Sequence, residues 1–229
     1  IDKDGRDRTA VCCLSSLNLE KYDEWKDDPD MIGDVMRFLD NVLSDFINKA
    51  PEQFKDAKYS AERERSVGLG VMGFHSFLQK KRIPLESVMA KSWNKKIFKN
   101  IHEKVNQASK DLAEERGACP DAAEYGFKER FSNKTAIAPT ASISIICGGA
   151  SPGVEPIAAN SYTHKTLSGS FNVRNRYLEE ILESHGKNDD ETWSTITTNQ
   201  GSVSHLDFLT DLEKDVFKTA FELNQKWII

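Results

Sequence analysis

The sequence predicts a helix-rich α/β fold, on three observations. Apolar residues at Met31, Ile32, Val35, Met36, Leu39, Val42, Leu43, Phe46 and Ile47 repeat at helical spacing. A second long segment, Lys91 to Arg116, closes on Gly117, the residue that most readily ends a helix. Flanking these segments lie apolar runs of strand length, Ala10 to Leu19 before them and Lys134 to Ala138 after them. No repeat, low-complexity tract or linker divides the chain, so residues 1–229 are expected to form one unit.

The elements follow in order. A helix is expected from Asp30 to Asn48, with Asp34 and Asp40 on its solvated face and Pro51 just beyond its end. A second is expected from Val67 to Lys80 and a third from Lys91 to Arg116. The strand near Lys134–Ala138 leads through Pro139 into a helix ending at Gly148-Gly149. Tyr162 to Val173 alternates and predicts a ribbon, and Tyr177 to His185 is helical. The acidic run Glu183 to Glu191 reads as a solvated turn, and the hydroxyl-rich Ser194 to Ser204 as a loop. A final helix is expected near Leu212, capped by Asp207 or Asp211 and continuing through Phe217, Phe221, Leu223, Trp227 and Ile228.

Composition excludes several classes. A formal charge of −5 with interspersed signs provides no basic face for nucleic acid. No run of about 20 apolar residues could span a membrane, and no signal peptide is evident. A soluble, cytoplasmic protein is the expectation. The 4 cysteines form neither a secreted disulfide framework nor a Cys-x-x-Cys metal pattern, and the 5 histidines show no ligand spacing, so no metal site is expected. His75 and His102 lie in helical patterns as packing or surface residues. Gly68-Leu69-Gly70-Val71-Met72-Gly73 fits G-x-G-x-x-G, but the preceding Tyr59 to Arg65 is polar, where a dinucleotide site needs a buried strand. A nicotinamide-dependent dehydrogenase therefore ranks low, and the glycines are read as permitting close packing.

One segment carries positive chemistry. In Thr135-Ala136-Ile137-Ala138-Pro139-Thr140-Ala141-Ser142-Ile143, a strand ends at a proline and a helix opens on hydroxyl residues. The first amides of a helix lack intrahelical acceptors and carry partial positive charge, so a phosphate fits there without a lysine. Thr140 is expected to cap the helix, Ala141 to permit close approach, and Ser142 to add a hydroxyl donor.

A set of strings in fixed order gives this segment a context. Ala10-Val11-Cys12-Cys13-Leu14-Ser15-Ser16-Leu17-Asn18-Leu19, Arg65 to Phe74, Glu115 to Pro120 and Ser151-Pro152-Gly153-Val154-Glu155-Pro156 resemble the large catalytic subunit of ribonucleotide reductases, over the chain from Arg8 onward. The resemblance implies a fragment of a ten-stranded α/β barrel, its C-terminal portion, of the class I-like type. It further implies reduction of ribonucleoside diphosphates to deoxyribonucleotides by thiyl-radical chemistry, with a dithiol supplying two electrons. Cys12 matches the downstream member of that dithiol. Cys13, one residue on, would face the opposite side of a strand and pack.

Pro139, Thr140, Ala141, Ser142 and Ile143 match the family's substrate phosphate loop. The family often has glutamate at Ala141 and a hydroxyl at Ile143, so amide contacts carry over better than side-chain ones. The radical cysteine's Asn-x-Cys-x-Glu string does not occur, which places it, and the other redox cysteine, upstream of Ile1. Implied partners are a second large subunit, a thioredoxin- or glutaredoxin-like reductant and a metal-containing small subunit that supplies the radical. ATP and deoxynucleotide effectors would bind elsewhere, and this chain holds no cofactor. The alternatives are an adenosylcobalamin-dependent relative and a non-catalytic nucleotide-phosphate binding module that kept the fold.

Overall fold

The computed structural model describes residues 1–167 and 169–227. Along the chain come β1 (Leu14–Asn18), α1 (Tyr22–Trp25), α2 (Met31–Lys49), α3 (Lys55–Glu64), β2 (Gly68–Met72), α4 (Phe74–Lys80) and α5 (Val88–Arg116). Then follow α6 (Pro120–Glu124), α7 (Ile143–Ile146), β3 (Ser161–Thr166), β4 (Gly169–Arg174), α8 (Arg176–Ser184), α9 (Asp190–Thr198) and α10 (Asp211–Val216). β1 pairs with β2, and β3 with β4 in antiparallel register. The chain forms two compact units where one was expected: Ile1–Leu17, Tyr22–Val71 and Lys95–Pro139 make the first, and Asn18–Lys21, Met72–Asn94 and Thr140–Ile229 the second.

In the first unit α2 buries Ile32, Met36, Leu39, Leu43 and Ile47 out of the wider apolar set its spacing predicts; Met31, Val35 and Phe46 are half-buried and Val42 is exposed. Asp28 holds the helix start, its Oδ1 accepting from the amides of Asp30 and Met31. Asp40 departs from expectation, because it is fully buried and not on a solvated face. Its Oδ1 accepts from Arg65 Nη2 at 2.7 Å and Arg130 Nε at 2.8 Å, and its Oδ2 from Arg116 Nη1 at 2.9 Å. Burial pushes this carboxyl up, but the hydrogen bonds from Arg130 and the charge of Arg65 more than offset that and leave it below the usual carboxylate range. Arg130 Nη1 also donates to the carbonyls of Arg116 and Gly117, closing the end of α5.

The expected helix Val67–Lys80 is a strand, a turn and a short helix. Gly68 and Gly70 lie in β2, where a Cβ would meet the Ala136 side chain at 2.8 Å and the Ala136 carbonyl oxygen at 2.1 Å respectively. Close packing was the right reading of these glycines, but it is a strand that packs. Leu69 donates to Lys134 O and accepts from Ala136 N, and Thr135 forms one parallel bridge with Leu69. The expected strand Lys134–Ala138 is thus reduced to a single rung beside β2. Around it, Phe98, Ile101, Leu69, Val71 and Ile137 contribute to a cavity of about 600 Å³.

In the second unit Gly73 turns the chain with φ 79°. His75 on α4 is buried, and its Nδ1 accepts from the Ile157 amide at 3.1 Å, the packing role its pattern suggested. α8, α9 and α10 enclose a core including Leu178, Leu182, Trp193, Ile196 and Phe217. Asn175 and Asp189 cap α8 and α9.

α9 overturns the expectation of a loop over Ser194–Thr198, while residues 199–204 form turns and loop as expected. Its hydroxyls point back along the helix: Thr197 Oγ1 donates to Trp193 O and Thr198 Oγ1 to Ser194 O. α10 is capped by Thr210 with Glu213 in a reciprocal capping box, rather than by Asp207 or Asp211. It ends at Val216, so the long terminal helix does not form through Phe221 and Leu223; Ile228 lies outside the described residues.

Candidate functional site

Cys12 lies in the first unit, just ahead of β1, with its thiol free and exposed. The neighbouring Cys13 is half-buried, its Sγ 3.7 Å from Leu39 O and its carbonyl accepting from Gly68 N at 2.9 Å. Burial, then the nearby Cys12, pushes the Cys13 thiol up, which keeps it protonated and inert. The two thiols thus divide as extended backbone requires, one outward and one packed. Cys119 is wholly buried, and Cys147 is exposed after α7.

The segment after Pro139 differs from the helix start that was expected. Pro139 is the exposed last residue of the first unit, and residues 140–143 open the second. Thr140 is buried at φ 53°, left-handed backbone that costs a β-branched residue about 1–3 kcal/mol. Its Oγ1 accepts from Gly153 N at 2.8 Å, so Thr140 anchors the segment inward and does not cap the helix with its side chain. α7 is a single turn, Ser142 makes no side-chain cap bond, and the helix does not run to Gly148. So short a helix carries little macrodipole.

What survives is local. Ala141, Ser142 and Ile143 are exposed, and among the described residues no hydrogen-bond acceptor reaches their three amides. Ser144 N donates to Thr140 O at 2.9 Å, which folds these amides into a tight turn. Successive free amides in such a turn make a concave site for an anion.

No local pattern in the sequence marks the residues that brace this turn. Asn18 Nδ2 donates to Cys147 O at 3.4 Å, and the Arg176 guanidinium donates to Gly148 O. Arg176 Nη2 also lies 3.7 Å from the buried Glu20 carboxylate, which accepts from Tyr177 Oη at 2.8 Å. Burial, then that hydrogen bond, pushes the Tyr177 phenol up, so it stays a donor. Gly148 and Gly149 leave the turn at φ 95° and 77°. Their spacing from Arg176 is long-range, and only folding brings them together. Among the described residues, no group of three His, Cys, Asp or Glu side chains could hold a metal ion, and no helix is long and apolar enough to cross a membrane.

Comparison with known proteins gives a consistent picture. The ribonucleotide reductase barrel domain family matches residues 1–130 and 120–229. The chain is 53% identical over 226 residues to a ribonucleoside-diphosphate reductase large subunit of Invertebrate iridescent virus 6, covering 97% of this chain and 23% of that one. It is 35% identical to a vitamin B12-dependent ribonucleoside-diphosphate reductase of Thermoplasma acidophilum, covering 94% of this chain and 29% of the other. A solved Actinobacillus ureae class Id ribonucleotide reductase alpha subunit superposes with a TM-score of 0.88 at 41% identity, over 97% of this chain and 41% of that one. The chain therefore spans well under half the length of these relatives. With both halves of the sequence matched and the fold superposed throughout, the chain belongs to the ribonucleotide reductase barrel domain family.

Proposed function

We propose that this chain forms part of the catalytic subunit of a ribonucleoside-diphosphate reductase. In this reading Cys12 is one thiol of a redox pair and the turn after Pro139 holds the substrate's phosphates. The observation that carries it is the division of labour at Cys12 and Cys13, where an exposed thiol is held beside a packed one. In the overall reaction two thiols give up two electrons and two protons as an S–S bond forms. The ribose C2′–O bond breaks, C2′ gains hydrogen, and the oxygen leaves as water. The partner thiol and the radical cysteine would come from polypeptide that this sequence does not include.

The amides of Ala141, Ser142 and Ile143 supply the phosphate contacts, with Thr140 fixing the turn and Pro139 setting its entry. We take a metal-containing small subunit as the radical source over adenosylcobalamin, because identity to the viral large subunit is 53% against 35% to the vitamin B12-dependent enzyme. A second large subunit and a thioredoxin- or glutaredoxin-like reductant complete the assembly, in the cytoplasm.

The test uses the complete large subunit with its radical-generating partner. Cys12→Ser should abolish multiple turnover, because no disulfide can form and be re-reduced. Thr140→Ala should weaken nucleoside diphosphate binding by about five- to tenfold, the worth of one buried hydrogen bond. Undiminished turnover in Cys12→Ser would remove Cys12 from the reaction and favour the non-catalytic reading.

A further inference from the structure

The segment leading to Cys12 is tied down by contacts that the chemistry described so far does not use. Arg8 makes a two-pronged contact with Asp121 in the first turn of α6, Nη1 to Oδ2 at 2.5 Å and Nη2 to Oδ1 at 3.1 Å. Arg63 on α3 reaches the same Asp121 Oδ1 at 2.7 Å, which fixes the carboxylate from a second side. Arg6 stacks on Tyr59, 3.4 Å from the ring centroid, and Tyr59 Oη donates to Asp2 Oδ2 at 2.8 Å. Thr9 N donates to Asp56 O at 3.3 Å. On the far side of Cys12, the next anchor is the bond from Gly68 N to Cys13 O. Between these anchors, residues 10–12 alone have no hydrogen bond among the described residues. Cys12 therefore sits on a three-residue span held at both ends.

Such a span matters because disulfide chemistry has a narrow allowance. Two cysteines join only when their Cα atoms lie about 4.4–6.8 Å apart, and extended chain offers at most about 3.6 Å per residue of reach. Slack at one anchor is a large fraction of that window. A two-pronged Arg–carboxylate contact fixes direction as well as distance, which a single lysine contact would not.

We propose that the Arg8–Asp121 pair is a positioning clamp for the Cys12 thiol, setting where that thiol meets its redox partner. The proposal rests on the reading of Cys12 as a reductant. Arg8 and Asp121 touch no substrate in this account; they act through the backbone of residues 9–12.

The experiment compares Arg8→Met, Asp121→Asn and Arg8→Lys in the complete large subunit with its small subunit. Two quantities are read: steady-state turnover, and the iodoacetamide alkylation rate of Cys12 relative to the exposed Cys147, resolved by peptide mass spectrometry. Arg8→Met and Asp121→Asn should lower kcat by about tenfold with KM nearly unchanged, as expected for a misplaced reacting group. They should also shift the Cys12-to-Cys147 alkylation ratio by about threefold, since access governs thiol reactivity. Arg8→Lys should recover part of both. An unchanged ratio overturns the clamp, whether turnover is kept or is lost together with thermal stability. Full turnover by Cys12→Ser would instead sink the reading beneath it, and the alkylation ratio still reports on the clamp in that case.

Discussion

At Asp40, α2 turns a charged side chain into the interior of the first unit. One carboxylate with no accessible surface receives hydrogen bonds from Arg65, Arg116 and Arg130. Three guanidiniums around one carboxylate leave positive charge that depends on it, so removing it strands buried cations. Asp40→Asn should destabilise the fold by about 3–5 kcal/mol, the range for breaking a buried ion pair. Chemical denaturation would read this directly, and a loss below about 1 kcal/mol would mean the arginines find other partners. The α2 periodicity placed a helix correctly, but a polar residue on a helix says nothing about which distant arginines will reach it. Arg65, Arg116 and Arg130 are separated from Asp40 by 25 to 90 positions.

Elements were legible where one segment's own pattern decides them. α2 and α8 fall within a residue or so of expectation, because a stripe of apolar residues needs only a core to face. The β3–β4 hairpin was likewise visible as alternation. β2 stands where a helix is expected because Gly68 and Gly70 fit either a helix face or a strand, and the neighbour that decides is Ala136, more than 60 positions away. A paired substitution makes the point measurable. Gly70→Ala drives a methyl to within 2.1 Å of the Ala136 carbonyl oxygen and should cost about 1–3 kcal/mol or more as overpacking. Gly33→Ala, inside α2 with nothing within 4 Å of its Cβ, should stabilise by about 0.5–1 kcal/mol. Thermal unfolding of both distinguishes them, and a neutral Gly70→Ala would mean the strand can shift away.

At the scale of the molecule, the two units should respond differently to acid. His75, in the second unit, is held by burial to about 4 against an ordinary 6.5. The unfolded chain takes up a proton near 6.5 and the folded one near 4. The contribution of His75 is therefore whole above 6.5 and falls away between 6.5 and 4, by about 3 kcal/mol in total. Asp40, in the first unit, has a folded value below that of the unfolded chain, so its contribution holds above about pH 4 and is lost only below it. Hydrogen exchange from pH 7 to 4 should show the second unit losing protection while the first keeps it. His75→Asn should flatten that dependence, and simultaneous loss in both units would assign the acid response to groups other than these two.

The family was legible without the fold. Short strings in fixed order survive as strings, and Cys12, Cys13 and the Pro139–Ile143 run are local in the chain. The sequence also determined the long helices, whose burial stripe is written within a single segment. Folding is what turns Thr140 inward to Gly153, limits the helix after it to one turn, and brings Arg176 and Asn18 to brace it. It alone paired Asp40 with its arginines and Arg8 with Asp121, 113 positions apart. The physical reason is common to all of these. Backbone periodicity is set by neighbours three or four residues away, whereas charge pairing and close approach are set by whichever residue the fold delivers to that place.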